Sequence, residues 1–423
     1  MKNHLLTDRR RVVITGVGAV TPIGNSMAET WNGIIESRKN VRPISIFDAS
    51  KFSCNFAYQV EDYQLELRQN VPTGQLPFMN RAARLGWNAA DEALVQANIF
   101  KDSSINLSRM ATCIGVGMGA ADLNWYAKIY RQDKLDQDGD LQYYPKHFPS
   151  TLAPILSAKI GCTGGNFTVH TACASSGQAI GEAFEMIACG DADIILTGGA
   201  DSMINAFQVA GFCLLGALSS RKSDPETASR PFDRDREGFV LGEGACMFIF
   251  EEYEHAVRRG AKILGEVCGY GVTESAYRIT DLHPEGRGTI EAMQMALDDA
   301  GIESHQVGYI NAHGTSTQLN DRIESLAISK VFPSSKGKTL VSSTKSMTGH
   351  LISAAGALEF GIALMSVKNQ VVPPSVNLFN IDPNCNIELA PSTATDLTFD
   401  YAMSNSIGFG GSNTSVIVRR YIP

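Results

Sequence analysis

The sequence predicts an α/β fold built from two similar halves. Short apolar runs of strand length alternate with helical stretches along the chain, which is the pattern of α/β proteins. Glycine-rich turns follow several of these runs, as is typical where functional groups lie at strand ends. Two series of elements also resemble each other, which adds the prediction of an internal duplication.

The predicted elements follow one another in order. Strand-like apolar runs occupy residues 11–16, 111–117, 194–197, 245–250 and 308–312. Helical stretches occupy residues 79–97, 176–188 and 290–300. In the second of these stretches the apolar side chains recur every three or four positions, so we expect that helix to bury one face.

The duplication is indicated by a repeated order of elements. In each series a helix and a strand precede one reactive side chain, and a helix rich in Ala, Gly and Ser follows it. That side chain is Cys173 in the first series and His350, before a helix over 351–365, in the second. We therefore expect two halves, residues 1–258 and 259–423, with a site where they meet; chance similarity among α/β units is the alternative.

The composition excludes several classes of protein. The 423 residues include 36 basic and 44 acidic side chains, a net charge of −8, with no basic block, which argues against nucleic-acid binding. No apolar run approaches the roughly 18–20 residues of a membrane span, and the N-terminus lacks the apolar core of a secretory signal. The nine cysteines form no C-x-x-C pair, so we expect a cytoplasmic protein without disulfides.

Cys173 is the first candidate for chemistry, because it stands between a strand-like run that ends at Thr171 and a helical stretch. Free backbone N–H groups and the helix dipole at such a junction favour the thiolate over the thiol. We therefore predict a nucleophilic cysteine, with a buried structural cysteine as the alternative.

His313 and His350 are the next candidates. His313 stands at the tip of a predicted strand and precedes a Gly and three hydroxyl residues, whereas His350 follows a loop that holds Lys345. A cation is disfavoured at a helix N-terminus, so His350 should stay neutral and donate. Together one cysteine and two histidines predict thiol-based acyl chemistry, although each histidine alone also fits an ordinary structural residue, and Lys345 alone a solvated loop charge.

Metal and nucleotide sites are the competing interpretations. His170 and Cys173 form one close pair, but a structural zinc site usually needs two pairs, so we expect no metal. Residues 13–21 start like a dinucleotide fingerprint, but Thr21 takes the third glycine position. Phe409 lies between glycines on a permissive backbone, which suits a gate or an oxyanion-hole amide as well as a plain turn.

Ordered blocks along nearly the whole chain resemble one family. They occupy residues 11–16, 229–233, 236–245, 311–324, 342–350 and 405–413. On these blocks the chain resembles the elongating β-ketoacyl-acyl-carrier-protein synthases of type II systems, in which each enzyme is a separate subunit. The resemblance implies the thiolase fold, two similar halves in a five-layer αβαβα stack. It also implies a decarboxylative Claisen condensation with no bound cofactor, on substrates that acyl carrier protein carries on 4′-phosphopantetheine.

The resemblance implies a role for each catalytic candidate. Cys173 resembles the nucleophile that takes the acyl chain from its carrier. His313 and His350 resemble the pair that promotes decarboxylation of the malonyl unit and stabilises the enolate. Lys345 resembles the lysine that supports the second histidine, and Glu324 resembles the acidic partner in its network.

The resemblance also implies binding roles. The backbone N–H groups of Cys173 and Phe409 would form the oxyanion hole, and Phe409 matches the gate between the acyl channel and the malonyl site. Thr315 and Thr317 resemble the hydroxyls that hold the phosphopantetheine arm. The acyl channel is expected to be lined by three side chains, for which core packing is the alternative: Met118, Phe148 and Phe212.

The chain departs from the housekeeping fatty-acid members of that family. It lacks their basic run before Met79 and has Gly216 in place of an Arg, and those basic groups help to dock the acidic carrier. No departure removes a catalytic group. We therefore expect a type II polyketide or polyene ketosynthase, with fatty-acid elongation as the alternative, in a homodimer or a heterodimer with a chain-length-factor-like paralogue.

Two other classes fit the sequence less well. A non-catalytic subunit would lack the cysteine or one histidine, and this chain has all three. A thiolase acting on CoA esters would carry a second catalytic cysteine near the C-terminus, and residues 408–413 contain none.

Overall fold

The structure is a computed structural model that describes residues 9–68, 71–72, 74–118, 131, 139–333 and 339–422. Its strands are β1 Val12–Val20, β2 Val41–Pro43, β3 Phe56–Tyr58, β4 Met110–Val116, β5 Asn166–Val169, β6 Ile194–Ser202, β7 Glu243–Glu252, β8 Gly265–Glu274, β9 Val307–Asn311, β10 Leu340–Ser342, β11 Val371–Val372, β12 Thr395–Asp396, β13 Tyr401–Ile407 and β14 Ser412–Arg419. The α-helices among the described residues are α1 Met27–Ile35, α2 Arg81–Gln96, α3 Leu152–Ile160, α4 Ser175–Ala188, α5 Ala206–Leu214, α6 Tyr253–Arg258, α7 Arg287–Ala300, α8 Gln318–Val331, α9 Lys345–Thr348 and α10 Ala355–Asn369.

Two five-stranded sheets with the same plan form the framework. The first has the order β1-β7-β6-β4-β5, and the second has the order β8-β14-β13-β9-β10. In both, the successive pairs are antiparallel, antiparallel, parallel and parallel. The sheets join where Val12–Ile14 of β1 pairs with β8. This repeat confirms the predicted duplication.

Five layers result from the way helices cover the two sheets. Helices α4 and α10 pack against each other and against strands of both sheets, so they form the middle layer. Helices α2 and α3 pack on the first sheet, and α7, with α8 against it, packs on the second. Along β7 the side chains alternate: Phe248 and Phe250 enter the core of the middle layer, whereas Met247 and Ile249 enter the outer core. The αβαβα thiolase fold is therefore confirmed.

The predicted elements are present, but some begin or end at other residues. The helix behind His350 begins at Ala355 rather than at residue 351, because a short 3₁₀ turn, Ile352–Ala354, intervenes. The sequence pattern did not predict strands β8, β13 and β14. Their buried polar side chains break the apolar pattern and are satisfied inside the sheet, as where the Ser415 hydroxyl donates to the Asn405 amide oxygen at 2.8 Å.

No α-helix in the described part of the chain has the length and apolar character to cross a membrane.

Candidate active site

Cys173 lies on a tight turn between β5 and α4. The turn is the 3₁₀ segment Ala172–Ala174, and Ala172 takes a left-handed backbone conformation with φ +49°. The Ser175 hydroxyl fixes the turn, since it accepts from the Thr171 N–H at 2.9 Å and donates to the Ala172 carbonyl at 2.6 Å. A non-glycine residue in this region stores strain, which is frequent at functional sites. The sequence predicted the junction, but it placed Cys173 directly at the helix start.

Burial controls the protonation of the Cys173 thiol. The side chain is 6% exposed, and this desolvation raises the pKa of Cys173 to about 12. The charge of Lys345 and the Phe409 backbone N–H lower the pKa of the thiol, but by less than burial raises it. The resting side chain is therefore a thiol, whereas the strand-to-helix junction in the sequence predicted that the thiolate is favoured.

His350 contacts the thiol from the other half of the molecule. Its Nε2 lies 3.2 Å from Sγ of Cys173, and its Nδ1 accepts from the Ile352 N–H at 3.3 Å. Because Nδ1 accepts, the proton of the neutral ring belongs on Nε2, which points at sulfur. Burial, and then Lys345, hold the pKa of His350 well below its usual range, so the ring is neutral, as the sequence predicted.

His313 follows β9 and completes the cluster. Its ring lies edge-to-face with that of His350 at a centroid distance of 5.3 Å. One ring nitrogen of each histidine and Sγ of Cys173 all lie within 4.8 Å of one another. Burial, Lys345 and His350 hold the pKa of His313 well below its usual range, so this ring is neutral as well.

Lys345 supports the first histidine rather than the second. Its ammonium donates to the backbone carbonyl of His313 and lies 3.4 Å from His313 Nδ1. Its carboxylate partner is Glu359, on α10, rather than Glu324. The closest contacts of Lys345 are therefore His313 and Glu359, and its charge also acts on the expected partners, since it lowers the pKa of His350 and of Glu324.

Glu324 instead holds the backbone of that loop. Its carboxylate accepts from the N–H groups of His313 at 2.8 Å and Gly314 at 2.7 Å. Burial raises the pKa of Glu324 to about 7, and the two N–H groups lower it. Glu324 therefore fixes the position of His313 through main-chain contacts, and the charge of Lys345 also lowers the pKa of its carboxyl group.

Two buried acidic residues of the site were missed by the sequence analysis. Glu359 is 2% exposed. The one feature of the sequence that could have indicated its role is its position as a charged residue within the predicted Ala- and Gly-rich helix. Asp201, at the end of β6, accepts hydrogen bonds from Ser353, from its hydroxyl at 2.6 Å and its N–H at 3.2 Å. Ser353 lies three residues after His350. Asp201 thereby connects β6, in the first half, to the 3₁₀ turn Ile352–Ala354 that follows His350 in the second half. No sequence pattern indicated this contact.

A cavity of about 370 Å³ leads from the surface to Cys173, His313 and His350. Thr315 and Thr317 line it, and their hydroxyl oxygens lie 2.9 Å apart. Phe409 also lines it and is 41% exposed, and its backbone N–H lowers the pKa of the Cys173 thiol. The structure therefore brings these three predicted binding residues into the same cavity as the catalytic candidates.

The three acyl-channel candidates occupy different places. Phe212 packs edge-to-face on Phe239 at 5.5 Å, and Phe239 packs on the ring of His350 at 5.2 Å. Met118 is 49% exposed and does not line the cavity of about 370 Å³. Phe148 lies against Tyr144 at 5.2 Å and lines a separate small cavity beside Val116. Only Phe212 of the three is thus linked to the catalytic cluster through described contacts.

The cysteine and the two histidines also have the spacing of metal ligands. The Lys345 ammonium stands 3.4 Å from His313 Nδ1, and a cation there opposes binding of a second cation. Two neutral imidazoles that present N–H groups suit a developing negative charge on a substrate instead.

The chain is similar to known proteins of one family over most of its length. Residues 9–256 match the family described as "Beta-ketoacyl synthase, N-terminal domain", and residues 264–379 match "Beta-ketoacyl synthase, C-terminal domain". A curated relative, the 3-oxoacyl-[acyl-carrier-protein] synthase 2 of Synechocystis sp., is 39% identical over 418 residues, which are 98% of this chain and 99% of the relative.

Two solved structures are similar over 98% of this chain and all of theirs. One is a ketosynthase bound to a hexaketide in complex with a type II polyketide acyl carrier protein (AntDE with AntF), with 31% identity and a TM-score of 0.87. The other is the ishigamide ketosynthase/chain length factor, with 32% identity and a TM-score of 0.87.

Proposed function

Because the chain belongs to the β-ketoacyl synthase family and is a type II ketosynthase, we propose that it joins a Cys173-bound acyl chain to a carrier-bound malonyl unit with loss of CO₂. The product is a β-ketoacyl-acyl-carrier protein. The observation that carries the proposal is the approach of Cys173, His313 and His350 to within 4.8 Å at the inner end of one cavity. In this scheme residues 1–258 supply the nucleophile, and residues 259–423 supply both histidines.

The first step loads the acyl chain on Cys173. The sulfur attacks the carbonyl of an acyl thioester, and the thiol proton ends on the departing phosphopantetheine sulfur, so the exchange needs no other base. The N–H groups of Cys173 and Phe409 stabilise the tetrahedral oxyanion, which is supported by the effect of the Phe409 N–H in lowering the pKa of the thiol. The hydrogen bond from His350 Nε2 favours the thiolate as it forms.

The second step makes the attacking carbon. The bond to the malonyl carboxylate breaks, CO₂ leaves, and the electron pair passes to the thioester as an enolate. Both Nε2 groups donate to that oxygen, because Nδ1 of His350 accepts from Ile352 and Nδ1 of His313 faces the Lys345 ammonium. The enolate carbon then attacks the acyl carbonyl, and Cys173 leaves as the thiolate, which takes a proton from water to restore the resting thiol.

The substrates need no cofactor bound to the enzyme in this scheme. The hydroxyls of Thr315 and Thr317 line the cavity where an arm from the surface would pass, which supports their role in holding 4′-phosphopantetheine. Acyl carrier protein is the proposed partner, as in the AntDE–AntF complex.

Elongation of the fatty-acid type is the pathway that the identities favour. The Synechocystis relative, which carries the 3-oxoacyl-[acyl-carrier-protein] synthase name, is 39% identical, against 31% and 32% for the two ketosynthase structures. This supports fatty-acid elongation, which was the alternative on the sequence alone, over a polyketide or polyene pathway. A polyketide or polyene role in a heterodimer with a chain-length-factor-like paralogue is the second candidate, favoured by the similarity to the ishigamide pair.

Reconstitution with purified carrier protein tests the function. The chain, malonyl-carrier and a saturated acyl-carrier should give a β-ketoacyl-carrier two carbons longer, detected by mass, with one CO₂ released. Product from malonyl-CoA but none from malonyl-carrier would contradict the proposal. A polyenoyl primer supplied in parallel distinguishes the pathways, and a Cys-less paralogue that co-purifies with the chain would favour the second.

A further inference from the structure

The two most exposed large apolar side chains among the described residues belong to residues that directly precede segments lining the active-site cavity. They are Leu214, at 90% exposure, and Ile279, at 83%. Leu215, which follows Leu214, is 59% exposed and lines the cavity itself. Exposed apolar patches mark interaction sites more often than single exposed side chains do.

Each of the two side chains is next in sequence to residues that line the cavity. Leu214 ends helix α5, and the next two residues, Leu215 and Gly216, line the cavity. Ile279 precedes Thr280, Asp281 and Leu282, which also line it. The Ile279 carbonyl also accepts from the Gly410 N–H at 2.7 Å, which ties its loop to the Phe409 segment.

The charges at the mouth do not suit an electrostatic contact with an acidic partner. No Lys or Arg occurs among the residues that line the cavity up to its mouth, in the part of the chain that the structure describes, and Glu237 and Asp281 place two carboxylates there. The nearest exposed cation on the Ile279 loop, Arg278, is paired with Asp281 at 3.2 Å. A partner that binds here therefore gains from apolar contact rather than from charge pairing.

We propose that Leu214, Leu215 and Ile279 form an apolar docking rim that binds the acyl carrier protein through an apolar face beside its phosphopantetheine attachment site. This inference rests on the proposed function and specifies how its partner is recognised. The rim lies where a carrier must stand for its arm to reach Cys173 through the cavity.

A transient partner fits this rim better than a permanent one. Acyl loading and condensation need two different carriers in turn, so the first must leave before the second enters. A second copy of the chain fixed across the same mouth would close the route to Cys173. A few exposed apolar side chains also match the small interfaces that weak, exchanging complexes use.

Leu214→Asp and Ile279→Asp test the rim with the full-length protein. Both positions are exposed, so neither change disturbs the core, and Val257→Asp, on α6 at 48% exposure, is the matched control. We expect each rim variant to raise the KM for acyl-carrier and malonyl-carrier about tenfold, the effect of roughly one lost contact, while Val257→Asp leaves it unchanged. Leu214→Met, which keeps an apolar side chain, should retain the wild-type KM.

Two further measurements separate docking from chemistry. Acylation of Cys173 by a small acyl-pantetheine thioester, followed by mass, should be equal in wild type and rim variants, since it needs no carrier. The wild-type KM for the carrier should change less than about threefold between 50 and 500 mM NaCl, because apolar contacts are insensitive to screening.

Other outcomes would contradict the proposal of apolar docking. A steep salt dependence, or a rim variant that behaves like Val257→Asp, contradicts apolar docking while the condensation itself stands. A dimer that Leu214→Asp converts to monomer assigns the patch to a second copy of the chain. Wild-type protein that acylates but condenses no carrier-bound malonyl overturns the proposed function instead.

Discussion

Nε2 of His350 lies 3.2 Å from Sγ of Cys173, although 177 residues separate the two along the chain. Cys173 comes from the first sheet and its helix, and His350 comes from the second, so the reactive pair exists only where the two halves pack. Asp201 reinforces this contact, because it anchors the turn after His350 to a strand of the first half. The catalytic geometry therefore depends on the same interface that holds the halves together.

Removal of the sulfur tests the nucleophile. Cys173→Ala should abolish acyl-enzyme formation and condensation, and Cys173→Ser should reduce both severely, because an alcohol at this pH is a far weaker nucleophile. Intact-protein mass after incubation with acyl-carrier measures the loading step. Normal elongation by the alanine variant would show that another residue carries the acyl chain.

The reactivity of Cys173 should follow a high thiol pKa. Since burial raises the pKa of Cys173 to about 12, the rate of alkylation by iodoacetamide in the free enzyme should rise about tenfold per pH unit from pH 6 to 9. The exposed Cys189 is the internal comparison and can be followed by peptide mass. A plateau for Cys173 near neutral pH would mean that His350 and the helix dipole outweigh desolvation.

Substitutions in the Lys345–Glu359 ion pair can distinguish an effect on the stability of the protein from an effect on its condensation activity. Lys345→Met leaves the buried Glu359 carboxyl without its cation, which should cost about 3 kcal/mol of unfolding free energy and remove condensation. The double variant Lys345→Met/Glu359→Leu should recover most of that stability, since two apolar groups can replace a buried ion pair. Urea unfolding measures both.

Activity of the double variant decides what Lys345 does. If the ammonium orients the His313 ring through Nδ1, condensation should stay low although the fold is restored. Recovery of condensation together with stability would show that the lysine serves the fold alone.

Asp201 should make the stability of the protein depend on pH. Burial raises the pKa of Asp201 to about 6, above the value of about 3.9 expected in the unfolded chain. The folded state therefore holds its proton longer, so this group's contribution is full below about pH 4 and is lost as the pH rises to about 6.

Asp201→Asn removes that dependence. Relative to wild type, its unfolding free energy should improve by on the order of 2 kcal/mol between pH 4 and 6, and the difference should be constant above pH 7. Urea titrations of both proteins across this range provide the comparison. A constant difference at every pH would mean that Asp201 titrates normally.

Phe212 and Met118 are the residues whose substitution tests what limits the length of the acyl chain. Phe212 reaches the catalytic cluster through Phe239, so Phe212→Ala should admit a longer or bulkier primer, read as the mass of the acyl-enzyme. Met118→Gly should also lengthen the accepted primer if Met118 limits the channel. An unchanged product length in either variant removes that residue from the acyl channel.

The sequence by itself determined the fold class, the duplication and the chemical identity of the site. Alternating strands and helices are local patterns, and Cys173, His313 and His350 stand at element ends that those patterns reveal. The residue types also restrict the chemistry, because a thiol with two imidazoles suits acyl transfer. These features are legible along the chain, since each depends on neighbours in sequence.

Tertiary structure alone decided which charges meet and which groups lose water. The partner of Lys345 is Glu359 rather than Glu324, because packing of α10 against the loop after β9 sets the distance. The thiol keeps its proton because the assembled halves exclude water from Cys173, and desolvation is a property of the whole surroundings. Exposure of Leu214 and Ile279 at one mouth is likewise set by segments distant in sequence.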